Sequence, residues 1–201
     1  MDSVQLRPVI TIYEETANFW KEQRARSPFR EKKFMEWVSG NIPPNSAVLD
    51  LGCGCGFPIA DYFLRKRIPF TGVDGAQAMI ALAKEEYPQG DWKVADMRTL
   101  NLDCEYGAII AWDSFFHLSH SEQEEMFPSF KEHLLLGGVL VFTSGTEHGE
   151  AIGEMDGNPL FHSSFAPDEY RRLLAQSGFE VVGYYPEDPD CGRTVWTCKR
   201  V

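Results

Sequence analysis

Apolar positions along the chain follow two alternating rhythms. Stretches with an apolar residue at every third or fourth place, the spacing of a helix face, are separated by short unbroken apolar runs of strand length. Tyr13, Thr16, Ala17 and Trp20 keep the helical spacing. A second helix is predicted with Ser27 as N-cap, Pro28 in its first turn, Phe34, Trp37 and Val38 on its apolar face, and Gly40 at its end. After a turn containing Pro43 and Pro44, AVLDL reads as a strand running straight into glycines. A helix follows near Pro58, with Ile59, Tyr62 and Phe63 on one face. Arg65, Lys66 and Arg67 stand where cations complement the negative end of its dipole. PFTGVD is the second strand, and Ala76, Met79, Ile80, Ala83 and Tyr87 stripe the next helix. WKVAD is the third strand and YGAIIAW the fourth, whose continuous apolar character suits a strand covered on both faces.

The second half continues the alternation. Ser121 and Glu124 have capping-box spacing and are expected to open a helix carrying Met126, Phe127, Phe130 and Leu134, with Pro128 kinking it. GGVLVFT is strand five. Pro167 starts a helix with Tyr170, Leu173 and Leu174, which stops at Gly178. FEVVGYY and RTVWTCK close the chain as strands with no helix between them, so they are expected to pair antiparallel at one edge. Residues 144–166 make too long a connection for an ordinary turn and are expected to form a lid or substrate loop. The pattern predicts one α/β domain over residues 1–201: a doubly wound, mostly parallel seven-stranded sheet with an antiparallel edge strand and helices on both faces. Ligands of such sheets bind at the carboxyl ends of the strands.

Charge narrows the partners. Thirty acidic residues against nineteen basic ones give a net charge of −11, which argues against nucleic acid and against an anionic membrane, and favours a small-molecule substrate. No apolar run approaches the ~18 residues of a membrane span, and MDSVQLRPVITIYEE lacks the features of an export signal. A cytoplasmic monomer or homodimer is expected. Cys53, Cys55, Cys104, Cys191 and Cys198 are odd in number and lack paired spacing, so they read as reduced thiols rather than a disulfide framework or zinc site.

The most specific signal is VLDLGCGCGF, where a strand ending in Asp50 and Leu51 passes through Gly52, Gly54 and Gly56 into a helix. Glycine tolerates positive φ, and without a Cβ the backbone can press against a ligand at a helix start. A dinucleotide fingerprint would want a third glycine where Phe57 stands, and no lysine followed by Ser or Thr is present for a triphosphate loop. With Asp50, one spacer and GxGxG, the chain resembles the class I S-adenosylmethionine-dependent methyltransferases. The resemblance extends from about Asn45 onward, through GVDGAQAMIALAK, VADMRTL, YGAIIAWDSFFHLS and HLLLGGVLVFT, although Leu135 and Leu136 stand where many relatives have Lys-Pro.

The resemblance implies S-adenosylmethionine as cofactor, S-adenosylhomocysteine as product, and a Rossmann-like core over 45–201 with the helices of 1–44 covering the cofactor. It places Asp50, Gly52, Cys53, Gly54 and Gly56 in the cofactor loop, Asp74 and Gly75 at the ribose, and Asp96 and Met97 at the adenine. Asp74 and Asp96 could also be plain strand-end carboxylates capping the next turn. Met79 would be an apolar wall or core. Trp112, Asp113 and Phe116 should line the methionine end, where aromatic faces attract a sulfonium, with plain core packing as the alternative for Phe115 and Phe116. Tyr13 and Trp20 either close over the cofactor or simply pack.

Methyl transfer depends chiefly on positioning and needs a base only when the acceptor carries a proton. His117 is the first candidate base, with a satisfied structural histidine as the alternative, and His162 is the second catalytic candidate. His148 lies on the same long segment, whereas His120 and His133 read as surface residues. The exocyclic-amine motif and the Pro-Cys nucleophile of nucleic-acid methyltransferases are absent after strand four. Thr143, Ser144 and Gly145 replace the Asp-Asn pair of catechol-type enzymes, so no metal is predicted. The reading is a methyltransferase of an unidentified small molecule; the alternatives are a nicotinamide-dependent dehydrogenase and a non-catalytic S-adenosylmethionine-binding module.

Overall fold

The computed structural model describes residues 6–201; the first five residues, part of the N-terminal stretch read for an export signal, lie outside the described residues. The elements are α1 (Val9–Arg26), α2 (Lys32–Asn41), β1 (Val48–Leu51), α3 (Ile59–Arg65), β2 (Phe70–Asp74), α4 (Gln77–Glu86), β3 (Asp91–Val94), β4 (Tyr106–Ala111), α5 (His120–His133) and β5 (Leu134–Ser144). They continue with β6 (Gly149–Met155), β7 (Asn158–Ser164), α6 (Pro167–Gln176), β8 (Phe179–Asp188) and β9 (Arg193–Arg200). Seven strands form one sheet in the order β3-β2-β1-β4-β5-β9-β8. The first five of these run parallel. β9 is antiparallel to both β5 and β8, so the reversed strand stands one place in from the edge.

Strand side chains alternate between faces, and the alternation divides the core in two. Leu49, Ile109, Leu140 and Phe142 point to one face with Phe115, Phe127, Phe130, Tyr170 and Trp196. Val48, Ile110, Val139 and Val141 point to the other with Phe34, Phe63, Phe70, Ile80 and Trp112. Every residue of β1 and β4 is buried, as their unbroken apolar runs require for central strands. A third, smaller cluster joins Ala17 of α1 to Cys55, Ala76 and Met79, with Tyr13, Trp20 and Phe57 against it, and so ties α1 to the glycine loop and the start of α4.

Three local expectations are corrected. Ser27 does not cap α2. It follows α1, where its hydroxyl donates to the Gln23 carbonyl at 2.9 Å, and α2 begins five residues later at Lys32. Residues 28–31 stay outside both helices, with the Arg30 N–H donating to the Pro28 carbonyl at 2.9 Å, so the chain turns there before α2 begins. The capping box of α5 is Ser119 with Glu122, two residues earlier than Ser121 and Glu124, and α5 runs unbroken through Pro128. Residues 144–166 are not an open loop: β6 and β7 pair antiparallel from Gly149–Ser164 to Met155–Asn158 as a separate two-stranded sheet. Asp156 and Gly157, with φ of 50° and 75°, supply the left-handed turn that a two-residue hairpin favours. Among the described residues no helix is long and apolar enough to cross a membrane.

Candidate functional site

A cavity of about 1030 Å³, part of it open solvent, lies over the carboxyl ends of β1, β2 and β4 beneath α1. Its floor is the turn after β1, where Gly52 and Gly54 take φ of 75° and 53°. A Cβ on Gly52 would stand 2.3 Å from the Ser114 Cβ, and one on Gly54 would stand 3.0 Å from the Trp20 indole nitrogen, so only glycine admits both neighbours. The turn is pinned by two N–H donations, from Gly52 and Cys53, to the Val73 carbonyl at 2.8 and 3.1 Å. Ser114 adds a bond to the Leu51 carbonyl at 2.6 Å.

Two carboxylates at neighbouring strand tips face this cavity. Asp74 accepts the Gly54 N–H at 2.9 Å and the Ala76 N–H at 2.8 Å, one on each oxygen. A carboxylate has about four lone-pair sites, so each oxygen keeps a further one. Burial nevertheless raises its pKa against both of these bonds. Asp50 is 2% exposed, and burial pushes it up to about 8, with Asp74 and Glu31 adding repulsion and Arg24 opposing. No hydrogen bond contributes to that shift. The Arg24 guanidinium lines the cavity, lies 5.8 Å from the Trp20 ring and pairs with the buried Glu31. Glu31 Oε2 has no hydrogen-bond partner among the described residues.

Asp96 also lines the cavity but is engaged: Arg98 donates from its backbone at 3.0 Å and from Nε at 2.9 Å, then bridges to Glu122 at 2.8 Å. The guanidinium holds the Asp96 pKa below the usual carboxylate value. Met79 is 1% exposed and forms part of the wall with Trp20, Met97 and Ile10. Gly75 lets Ile10 approach, since a Cβ there would lie 2.6 Å from its terminal carbon. Cys53, half-buried, lines the wall, and the desolvation of its thiol raises its pKa. Trp112 reaches the cavity while packing on Phe34 at 5.6 Å.

Asp113 sits in the left-handed region with φ of 51°, its N–H donating to the Thr143 hydroxyl at 2.8 Å. Its carboxylate takes Arg193 Nε and Nη2 at 2.6 and 3.0 Å. Tyr13 Oη meets His117 Nε2 at 3.1 Å, and His117 Nδ1 meets the Phe161 carbonyl at 3.0 Å. A carbonyl can only accept, so Nδ1 carries the proton and the Tyr13 hydroxyl donates to Nε2. Burial drives His117 down to about 4 and Tyr13 above its ordinary value. Phe116 lies outside the cavity, against His162 on the far side of His117, with ring centroids 4.8 and 4.9 Å away.

The structure thus gathers Tyr13, Trp20, Asp50, Gly52, Cys53, Gly54, Gly56, Asp74, Gly75, Met79, Asp96, Met97, Trp112, Asp113 and His117 around one cavity. It leaves Phe116 and His162 on a second hollow. Sequence reasoning missed Arg24, Arg98, Ile10 and Ser114. A helical step of four from Trp20 to Arg24 was an available signal for the first. His133, expected at the surface, is buried and accepts the Leu102 N–H at 3.1 Å. Among the described residues no group of three or more His, Cys, Asp or Glu is arranged for a metal ion.

Residues 48–138 match the family model described as a methyltransferase domain. The chain is 28% identical over 155 residues to carboxy-S-adenosyl-L-methionine synthase of Campylobacter fetus, covering 72% of this chain and 61% of that protein. It is 28% identical over 106 residues to dTDP-3-amino-3,4,6-trideoxy-alpha-D-glucopyranose N,N-dimethyltransferase of Streptomyces venezuelae, covering 52% and 44%. It therefore spans less than two thirds of the length of these curated relatives. In fold it is similar to CalS10, an amino pentose methyltransferase from Micromonospora echinaspora solved with S-adenosylmethionine bound, with a TM-score of 0.73, 19% identity and coverage of 98% and 100%. The strand order and the likeness to CalS10 define a Rossmann-like fold of the kind class I methyltransferases have, and the segment from β1 to β5 is the part that matches the methyltransferase-domain model.

Proposed function

We propose that the cavity binds S-adenosylmethionine and that the protein transfers its methyl group to a small molecule, leaving S-adenosylhomocysteine. The observation that carries this reading is the pairing of a left-handed glycine floor with two strand-tip carboxylates that retain acceptor capacity.

The residues present fit such a nucleoside. The floor at Gly52 and Gly54 is space that a side chain would fill. Trp20, Met79, Met97 and Ile10 offer apolar surface for a flat base. Asp74, anchored by two backbone N–H groups, has lone pairs left for vicinal hydroxyls. Asp50, buried with no hydrogen bond to ease its charge, suits the cationic methionine end of the donor. Trp112 adds an aromatic face there.

When bound, the donor supplies an electrophilic methyl on a cationic sulfur. The chain's own work is to orient, to exclude water and to keep the reacting groups in line, which can supply much of the rate for a displacement that neutralises charge. α1 covers the cavity through Tyr13 and Trp20, whose rings meet edge-on at 5.8 Å. His117 is a poor general base in this arrangement: both ring nitrogens are engaged, and its pKa of about 4 leaves it a weak proton acceptor at neutral pH. It positions the Tyr13 hydroxyl instead. Release of S-adenosylhomocysteine on incubation with S-adenosylmethionine and pooled metabolite fractions tests the function. Acceptor-dependent release is expected; donor binding with no release from any fraction would leave a non-catalytic binding module.

A further inference from the structure

Among the described residues only two buried side-chain polar atoms lack a hydrogen bond, and one of them, Glu31 Oε2, belongs to a residue paired with the wall of the donor cavity. Glu31 is 1% exposed, and its backbone is fixed at the start of α2, where its carbonyl accepts the Phe34 and Met35 N–H groups at 2.9 and 3.2 Å. The turn over residues 28–31 brings its side chain back to α1, where Oε1 takes Nη2 of Arg24. A buried carboxylate is costly unless its lone pairs are filled, so an oxygen left bare asks for a reason beyond packing.

The missing bond follows from how Arg24 is used. An arginine commonly closes a two-bond fork on a carboxylate, which would fill both oxygens. Arg24 gives Glu31 a single N–H and lines the cavity, and its remaining side-chain donors have no partner among the described residues. Its side chain is 16% exposed, and the Trp20 ring centroid lies 5.8 Å from the guanidinium carbon, so the group is held rather than loose in solvent. The other arginine lining the cavity, Arg98, is spent: Nε and Nη2 bind Asp96 and Nη1 binds Glu122.

Asp50 belongs to the same cluster. It lines the cavity, has no hydrogen bond to its side chain among the described residues, and feels both charges of the pair, attracted by Arg24 and repelled by Glu31. A cation with donors to spare and a buried acceptor with none to bind therefore share the cavity wall. A lone anion at Arg24 would be opposed by both acids, and a lone cation at Asp50 by Arg24. A group carrying an ammonium and a carboxylate on one carbon satisfies both at once.

We propose, resting on the donor reading above, that Arg24 receives the carboxylate of the donor's amino-acid end and that Glu31 is a positioning residue, which holds the guanidinium turned into the cavity. The site thereby selects adenosine sulfur compounds with an intact amino acid over those that lack the carboxylate. Without Glu31 the long Arg24 side chain gains rotamers that lead to solvent, and a ligand must order it on binding. Glu31 moves that ordering to the folding step. Because Arg24 belongs to α1, the same contact fastens the roof of the cavity to the ligand beneath it.

Calorimetry reads this without turnover. The ligands compared are S-adenosylhomocysteine, the same compound lacking only the carboxylate (S-adenosylthiopropylamine), and methylthioadenosine, which lacks the whole amino acid. Wild type is expected to bind S-adenosylhomocysteine at least about tenfold more tightly than the decarboxylated compound. Arg24→Gln should erase that preference by weakening S-adenosylhomocysteine about 10- to 100-fold, with the other two ligands within about threefold of wild type. Glu31→Gln should weaken S-adenosylhomocysteine alone, by about 3- to 10-fold; loosened packing would instead weaken all three ligands. Where Arg24→Gln leaves Glu31 unpaired and the protein fails to fold, Arg24→Gln/Glu31→Gln removes both charges and carries the same expectation. Equal affinity of wild type for S-adenosylhomocysteine and the decarboxylated compound, or parallel loss of all three ligands without Arg24, overturns the role of Arg24. Parallel loss in Glu31→Gln overturns that of Glu31. Wild type that binds none of the three, methylthioadenosine included, sinks the donor reading itself, so the two failures are told apart.

Discussion

The cavity over β1, β2 and β4 and the hollow beside the β6–β7 hairpin are separated by the His117–His162 and Asp113–Arg193 pairs, yet they are built by opposite means. In the cavity nearly every polar group is tied to the sheet: Asp74 by two backbone N–H groups, Ser114 by the Leu51 carbonyl, Asp113 by Thr143 and Arg193. In the hollow the groups without a partner among the described residues include His162, Glu147 and Glu150, borne by a hairpin and its approach rather than by the seven-stranded sheet. Backbone-anchored partners hold a ligand the same way each time, whereas groups carried by a hairpin can be changed without touching the core. The difference implies that substitutions on the cavity side affect folding and donor binding together, and substitutions on the hairpin side separate them.

Asp74→Ala is expected to give the largest effect, because it removes a buried charged acceptor from two backbone donors as well as from the ligand. Donor affinity by calorimetry should fall about 10- to 100-fold, from ~1.5–3 kcal/mol for such bonds, with a lower Tm; unchanged affinity would detach Asp74 from the site. Gly54→Ala comes next. Its left-handed φ and a Cβ 3.0 Å from Trp20 should cost ~1–2 kcal/mol of stability, read from chemical denaturation, and weaken donor binding in parallel.

The third prediction concerns protons. Asp50, raised to about 8, is mostly protonated at pH 7, and a cation brought beside it should expel that proton. Calorimetry in buffers of differing ionisation enthalpy should therefore show about one proton released per donor at pH 7, and Asp50→Asn should abolish the release. Without ligand the two shifted groups pull stability in opposite directions. Asp50, whose pKa rises on folding, favours the fold at low pH and loses that contribution as pH climbs from ~4 toward 8. His117, whose pKa falls on folding, contributes at higher pH and loses it as pH drops from ~6.5 toward 4. Between pH ~4 and ~6.5 the two slopes oppose, so urea midpoints should fall more steeply with rising pH there in His117→Gln, and should stop falling between ~6.5 and ~8 in Asp50→Asn.

The smallest effect sharpens the contrast. Gly157→Ala meets no neighbouring atom and pays only for its φ of 75°, so it should cost about 1 kcal/mol or less of stability and leave donor affinity unchanged. A drop in donor binding there would show that the hairpin and the cavity are not independent.

Much of this was legible because it is local. The short unbroken apolar runs and the helical spacings located the strands and helices of the main sheet, and the glycine spacing after AVLDL with acids at the next strand ends pointed to the cavity. What failed was also local but ambiguous. Ser119 and Ser121 both have a Glu three residues on, and Arg98, distant in sequence, holds the Glu122 of the first pair; Ser27 is a capping residue by type, but the chain turns over residues 28–31 before α2 begins at Lys32. The hairpin was marked by Asp156-Gly157 between alternating residues, a signal outweighed by the length and polarity of the segment. Arg193, about 80 residues from Asp113, and the sharing of His117 between Tyr13 and Phe161 could not be read from spacing, because they depend on how β9 and the hairpin return to the end of β4.

The account is tested most directly by calorimetric titration of S-adenosylhomocysteine, with NAD as control, into wild type and Asp74→Ala. Saturable binding of S-adenosylhomocysteine to wild type, weakened at least about tenfold by the substitution, and no heat from NAD are predicted. Binding of NAD in its place, or S-adenosylhomocysteine affinity indifferent to Asp74, would contradict it.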